Sequence, residues 1–457
     1  DVTSAQVQEV RDAAIALVGR DPLGSAGKTE SEQENITLRL DWNINDMHRL
    51  TYNFKEVSGD AVRGVDSSRS SVALASATYL KTETTTTNSF HLVSDLSDNL
   101  ISEVYYSTKE TSTDQISAVG QNYPTFRIDD AFGYRFDFGP DIYRSANDLE
   151  TETDFFKVKL TYYMNDHKIT AGYENTNYDV FNLFIINEDG TYRFRTLEDF
   201  KAGNIRSYSA SGSKTGNVLD AAAEFEYDLT SMYIMDEYSL SERLTLTFGA
   251  RYDKYDGDDT PTNQSFLSTY GFKNGGITGT DLINLRFGAD IIIDDVSDLN
   301  ITFGTFSSKL PGVWISNAYS NTGVAIANYV PEYATSACDT STISGLVFSG
   351  NNVKPDCVNS SIQNPLNNTS KVDFIAPSFE WPESTILNVT YTRLLPMDVD
   401  ITLTYLNSRD EEALYKIVDT GYPLVGDQPT VPTKKAPDGR PIYNQTGNYS
   451  YHAGLYN

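Results

Sequence analysis

Four carboxylates crowd the stretch DKYDGDD: Asp253, Asp256, Asp258 and Asp259. Clustered carboxylates at a turn suit a hard cation, so calcium is the metal to consider here. The spacing departs from the EF-hand loop, which needs a closing glutamate, and a hydrated acidic loop fits the same residues. Cys338 and Cys357, the two cysteines of the chain, stand nineteen positions apart. In an oxidising compartment such a pair is expected to form a disulfide. Closing a loop of that size stabilises by about 3 kcal/mol in the chain-entropy model. A thiolate metal site would need more than two ligands, and the surrounding stretch offers no histidine.

The four histidines are His48, His91, His167 and His452, and none has the spacing of a zinc site. Asp166 and His167 are adjacent, which invites a hydrolase reading. Neighbours on an extended chain point to opposite faces, so the two do not make a ready pair. No Gly-x-Ser-x-Gly elbow occurs either. The expectation is a protein that is not an enzyme and carries no cofactor, calcium excepted. A third set of polar residues lies inside alternating stretches: Arg39, Asp41, Lys157, Lys159, Arg251 and Arg286. There they would form a polar row opposite an apolar one, where they could contact a solute or simply hydrate a wall.

Those stretches are what must position the rest. In Leu244–Tyr255, Leu244, Leu246, Phe248, Ala250 and Tyr252 alternate with Thr245, Thr247, Gly249, Arg251 and Asp253. A period of two means a strand with one apolar and one wet face. The same pattern recurs in pairs. Ile36, Leu38, Leu40, Trp42 and Ile44 lead through Asn45-Asp46 to Leu50, Tyr52 and Phe54. Further pairs centre on turns at 94–99, 165–167, 239–242, 294–298 and 395–398. Every second connection is short and the others are long, near 58–85, 110–152, 176–222, 256–282 and 308–384 and from 408 onward. Residues 1–30 lack alternation; Val7, Val10, Ala14, Leu17 and Val18 recur at helical spacing before Asp21-Pro22.

Short turns at one end and long loops at the other are the asymmetry of outer-membrane barrels, whose strands need only about ten residues to cross. No run of about 18 apolar residues exists to make a transmembrane helix. Backbone groups cannot remain unpaired in hydrocarbon, so a spanning sheet is expected to close. Trp42, Tyr173, Tyr238, Tyr252 and Tyr405 fall near strand ends, where an aromatic girdle belongs. Sixty-three acids against 35 bases give a net charge of −28, which argues against nucleic acid as a partner. A soluble propeller or sandwich would also alternate, but nothing would make every second loop long.

Particular residues go further. SMYIMDEYSLSERLTLTFGARYDKY resembles the strand–turn–strand signature of TonB-dependent outer-membrane receptors, and DLINLRFGADIIID with LNITFGTFSSKLPG resembles the following hairpin. LDWNINDMHRLTYNF and APDGRPIYN are similar to the Oar-like (OmpA-related) branch. The resemblance implies a plug domain inside a barrel of about 22 strands and uptake driven by the TonB complex. No plug, TonB box or terminal aromatic strand is recognisable, so the chain is expected to be an internal piece. The sequence therefore predicts an all-β, antiparallel transmembrane β-barrel with about twelve strands visible and long outer loops. Residues 1–30 form a loop segment with a short helix and 31–457 the strands and loops. The expected location is the outer membrane, and the expected partners are outer-membrane lipid, lipopolysaccharide, TonB through the plug, and a solute or peptide. A passive porin-like channel and a surface adhesion protein are the alternatives.

Overall fold

The computed structural model describes residues 2–410, except 28, 65–66, 121–122, 271–272, 278–279, 308–311, 330–353, 365–371 and 376–378. Beyond Asp410 it describes four short strands. Twelve strands build one antiparallel sheet in chain order. They are β1 (Ser31–Asn43), β2 (His48–Gly64), β3 (Thr78–Ser97), β4 (Leu100–Ser117), β5 (Ala146–Met164) and β6 (His167–Ile185). Then come β7 (Ala223–Ser241), β8 (Leu244–Gly257), β9 (Thr280–Asp294), β10 (Ser297–Ser307), β11 (Glu383–Leu395) and β12 (Val399–Asp410). Each strand pairs with its neighbours in sequence, as in an up-and-down wall. The six expected hairpins are all present.

Local chemistry explains the tight turns. Asn45 Oδ1 accepts the backbone N–H of Met47 at 2.8 Å and of His48 at 2.9 Å, an Asx turn joining β1 to β2. Asn165 takes φ +52° between β5 and β6, a conformation Asn tolerates. Met397 and Asp398 both have positive φ in the three-residue turn between the paired residues Leu395 of β11 and Val399 of β12.

Two expectations need correction. Several strands run far past ten residues: β3 has 20 residues and β5 has 19. The extensions are rich in Thr, Glu and Asp on both faces, so the chain stays extended where the apolar period has stopped. The long connections shrink accordingly, to 65–77, 118–145, 186–222, 258–279 and 308–382. The sheet also does not close among the described residues: β1 and β12 are its two edges.

The apolar rows stay uncovered. Ile36, Leu38, Leu40 and Trp42, with Met232, Ile234, Phe248, Ile283, Leu285, Phe287, Phe303 and Leu403, are all exposed. Many of their alternate neighbours, Thr37, Arg39, Asp41, Thr247 and Arg286 among them, are polar or charged. No described helix is long and apolar enough to cross a membrane.

The buried cores lie elsewhere, in the long connections. Helix α1 (Ser4–Val18) is capped by Thr3 through a capping box and buries Val7, Val10 and Ala14. It packs beside α2 (Leu197–Ala202), with Lys201 Nζ on Glu9 at 2.7 Å. Both rest on a five-stranded sheet made wholly from loop segments, including Thr125–Ala131, Tyr134–Phe138 and Thr191–Thr196. Phe126, Phe138, Tyr192, Phe194 and Phe200 fill the space between. Among the described residues the remaining α-helices are α3 (Gln264–Tyr270), α4 (Gly312–Ser320) and α5 (Asp356–Gln363). A second core joins α4 to the far ends of β7 and β8.

Candidate functional site

The polar face of the wall carries a ladder of ion pairs. Lys159 Nζ meets Glu103 at 2.5 Å, and His91 approaches the same carboxylate at 3.5 Å. Lys157 lies 3.5 Å from Glu174, whose other oxygen receives Arg251 at 3.0 Å. Arg251 also holds Asp253 at 2.9 Å, and Ser231 Oγ donates to that aspartate at 2.5 Å. Arg39 pairs with Asp41 at 2.7 Å, and Thr51 donates to Asp41 at 2.7 Å. The Arg286 guanidinium sits 5.0 Å over the Phe306 ring. The predicted row Arg39, Asp41, Lys157, Lys159, Arg251 and Arg286 is thus interleaved with acids. Glu103 and Glu174 were missed because a lone acid on a wet face carries no signal; only strand register shows that it meets a base.

The four aspartates considered for calcium do not converge. Asp253 belongs to the ladder and is 4% exposed. Asp256 pairs with Lys254 at 3.0 Å, Asp258 accepts the backbone N–H of Glu226 at 2.9 Å, and Asp259 lies 3.5 Å from Lys273. Alternation sends Asp253 and Asp256 to opposite faces. Among the described residues, no group of three or more His, Cys, Asp or Glu is placed to hold a metal. Cys357 is disulfide-bonded at the start of α5; its expected partner, Cys338, lies outside the described residues, and His452 opens the short strand His452–Tyr456. His167 finds Asp236 at 2.9 Å, not Asp166, and its ring stacks on Tyr238 at 4.3 Å.

Higher on the polar face the wall turns aromatic. Tyr178 and Tyr227 stack at 4.5 Å, Tyr255 and Trp381 at 3.6 Å, and Phe225 and Tyr319 at 3.9 Å. Between these rings and α4 lies a cavity of about 430 Å³, bordered also by Val180, Leu229 and Ile315. That volume is in the range of small-molecule sites. Its walls are held from behind. Trp381 Nε1 donates to Thr280 Oγ1 at 2.6 Å, and Asn182 Nδ2 donates to Ser316 Oγ at 2.6 Å. The Tyr319 hydroxyl donates to the Asp258 carbonyl at 2.8 Å and accepts the Ile277 N–H at 3.1 Å. Burial pushes that hydroxyl up to about 12, so it remains a donor at any ordinary pH.

The loop-built sheet has its own electrostatics. Asp129 is gripped by Arg193 at 2.8 Å and Arg206 at 2.6 Å. Burial works against its ionisation, but the two guanidinium hydrogen bonds outweigh it and hold the carboxyl below its ordinary range. Asp189 is the opposite case. It is 5% exposed, and burial, with Glu188 beside it, pushes its carboxyl up to about 7.

An open antiparallel wall with one uncovered apolar face and loop-built cores defines a class, and the sequence matches it. Residues 19–282, more than half of the chain, match the outer membrane beta barrel domain family, and the chain belongs to that family. It is an outer-membrane protein. In fold it is similar to the outer membrane transporter YddB from Escherichia coli, with TM-score 0.57 and 10% identity over 94% of this chain and 44% of that one. The siderophore receptor PirA from Pseudomonas aeruginosa aligns with TM-score 0.48 and 9% identity over 93% of this chain and 51% of that one. The chain thus spans about half the length of these structures. No curated protein matches it.

Proposed function

We propose that the chain is the barrel portion of a TonB-dependent, Oar-like receptor that captures a solute at its outer loops for energised uptake. The observation that carries this reading is the aromatic cavity between the upper wall and α4, set on the same face as the ion-pair ladder. A surface that only adheres or only conducts needs no such recess. The outward rows would contact acyl chains, and the long loops would meet lipopolysaccharide. The quoted strand signatures support the receptor family, and the Asp-Trp-Asn-Ile and Ala-Pro-Asp-Gly stretches support its Oar-like branch. The protein has a binding role and performs no catalysis; partnership with TonB would run through a plug domain.

Uptake by whole cells carrying the complete gene provides the test. Solute entry that stops on adding a protonophore supports the proposal. Energy-independent conductance in planar bilayers would replace it with a porin. Attachment to cells or matrix without solute entry would replace it with an adhesin.

A further inference from the structure

We infer that the cavity takes the ring of a small aromatic molecule without net negative charge, a cationic amine being favoured. This rests on the receptor reading and names the class of ligand. The cavity is lined by rings and aliphatic groups from β6, β7, β8, α4 and the segment just ahead of β11: Tyr178, Tyr227, Tyr255, Trp381, Val180 and Ile315. Flat rings pack best against such faces, offset or edge-on.

Charge decides the sign. Among the described residues that line the cavity, none is Lys, Arg or His; Glu152, the one charged residue on its border, alternates with Thr151 and Thr153 and so turns its carboxylate to the other face of the wall. The cations below it on the same face are already engaged: Arg251 holds Glu174 and Asp253, and Lys157 shares Glu174. The Asn182 amide already donates to Ser316 Oγ at 2.6 Å and to Ser320 Oγ at 3.1 Å. An anionic group entering here would lose its hydration and find no counter-charge. A cation would meet the negative faces of the rings and the field of a chain with net charge −28.

The test is isothermal titration calorimetry of the full chain, folded in detergent, with tryptamine and with indole-3-acetate. The two share a ring system and differ in the sign of their charge. Tryptamine should bind, with indole-3-acetate weaker by about tenfold or more. Filling the cavity with Val180→Phe should weaken tryptamine by about tenfold as well. If that variant fails to show heat-modifiable mobility on gels, Ser316→Phe fills the space from the α4 side. Equal or tighter binding of indole-3-acetate, no binding of tryptamine, or unchanged affinity in a folded filled variant would overturn the inference. Protonophore-sensitive uptake alongside any of these leaves the receptor reading standing. Energy-independent conductance removes that reading whatever the calorimetry shows.

Discussion

Arg251 on β8 reaches Glu174 on β6 at 3.0 Å, passing over the whole width of β7. It does so above the Tyr233 ring, whose centroid is 5.6 Å from the guanidinium. Three strands are thereby tied on the polar face by one side chain. With side chains 17–25% exposed, the pair is partly desolvated, and removing Glu174 leaves Arg251 with Asp253 alone and Lys157 without its acid. Glu174→Gln should therefore lower stability by about 1–3 kcal/mol. Guanidinium unfolding of the vesicle-inserted chain, followed by tryptophan fluorescence, measures it. An unchanged midpoint would show that Asp253 alone suffices for Arg251.

The space for Tyr233 comes from Gly172. A Cβ at that position would lie 2.3 Å from the ring, closer than any real contact. Gly172→Ala should cost about 1–3 kcal/mol by overpacking. Adding Tyr233→Leu should restore most of the loss, because the obstructing ring is gone. Failure of the second change to help would place the strain in the backbone.

The two faces of β8 should respond oppositely to charge. Leu246 lies on the apolar row, where an outward arginine near the bilayer midplane costs about 2–4 kcal/mol. Leu246→Arg should impair assembly, read as loss of heat-modifiable mobility in outer-membrane fractions. Thr247→Arg should assemble, since Glu237 stands directly opposite it and Gly288 is its other neighbour. The reverse result would invert the wall.

Asp189 should make the loop-built core sensitive to pH. Its folded carboxyl, pushed up to about 7, lies above the ordinary value of 3.8. Its contribution is therefore complete below the ordinary value and is lost as pH rises through about 7. Asp189→Asn should remove this dependence and stabilise the core above neutrality by at most about 4 kcal/mol. Limited proteolysis of the loops at pH 5 and pH 8 reads it: the parent should be cut faster at the higher pH and the variant equally at both.

The disulfide should hold the longest connection together. Protease nicking between Cys338 and Cys357, followed by non-reducing electrophoresis, should keep the fragments joined, and reduction should release them. Free thiol at both positions would contradict the bonded state of Cys357.

The wall was legible because its signal is local. Alternation in Leu244–Tyr252 or Ile36–Ile44 needs no knowledge of distant residues: each side chain's face follows from its parity. Turns marked by Asn45 and Asn165 are equally local, set by side-chain hydrogen bonds and tolerated φ. The outer-membrane setting follows from those two features. The polar extensions of β3 and β5 were not legible, because Thr and Glu on both faces leave no period to detect.

What tertiary structure alone decided is pairing. Lys157, Glu174 and Arg251 come from three different strands and meet only through register across the four strands β5 to β8. The aromatic cavity assembles Tyr178, Tyr227, Tyr255 and Trp381 from four separated segments. Asp253 looks like its acidic neighbours in sequence, and parity alone sets it on the face of Arg251, yet only register brings Ser231 of β7 against it. A single strand determines which way a side chain points, but only its neighbours in the sheet determine what it meets there.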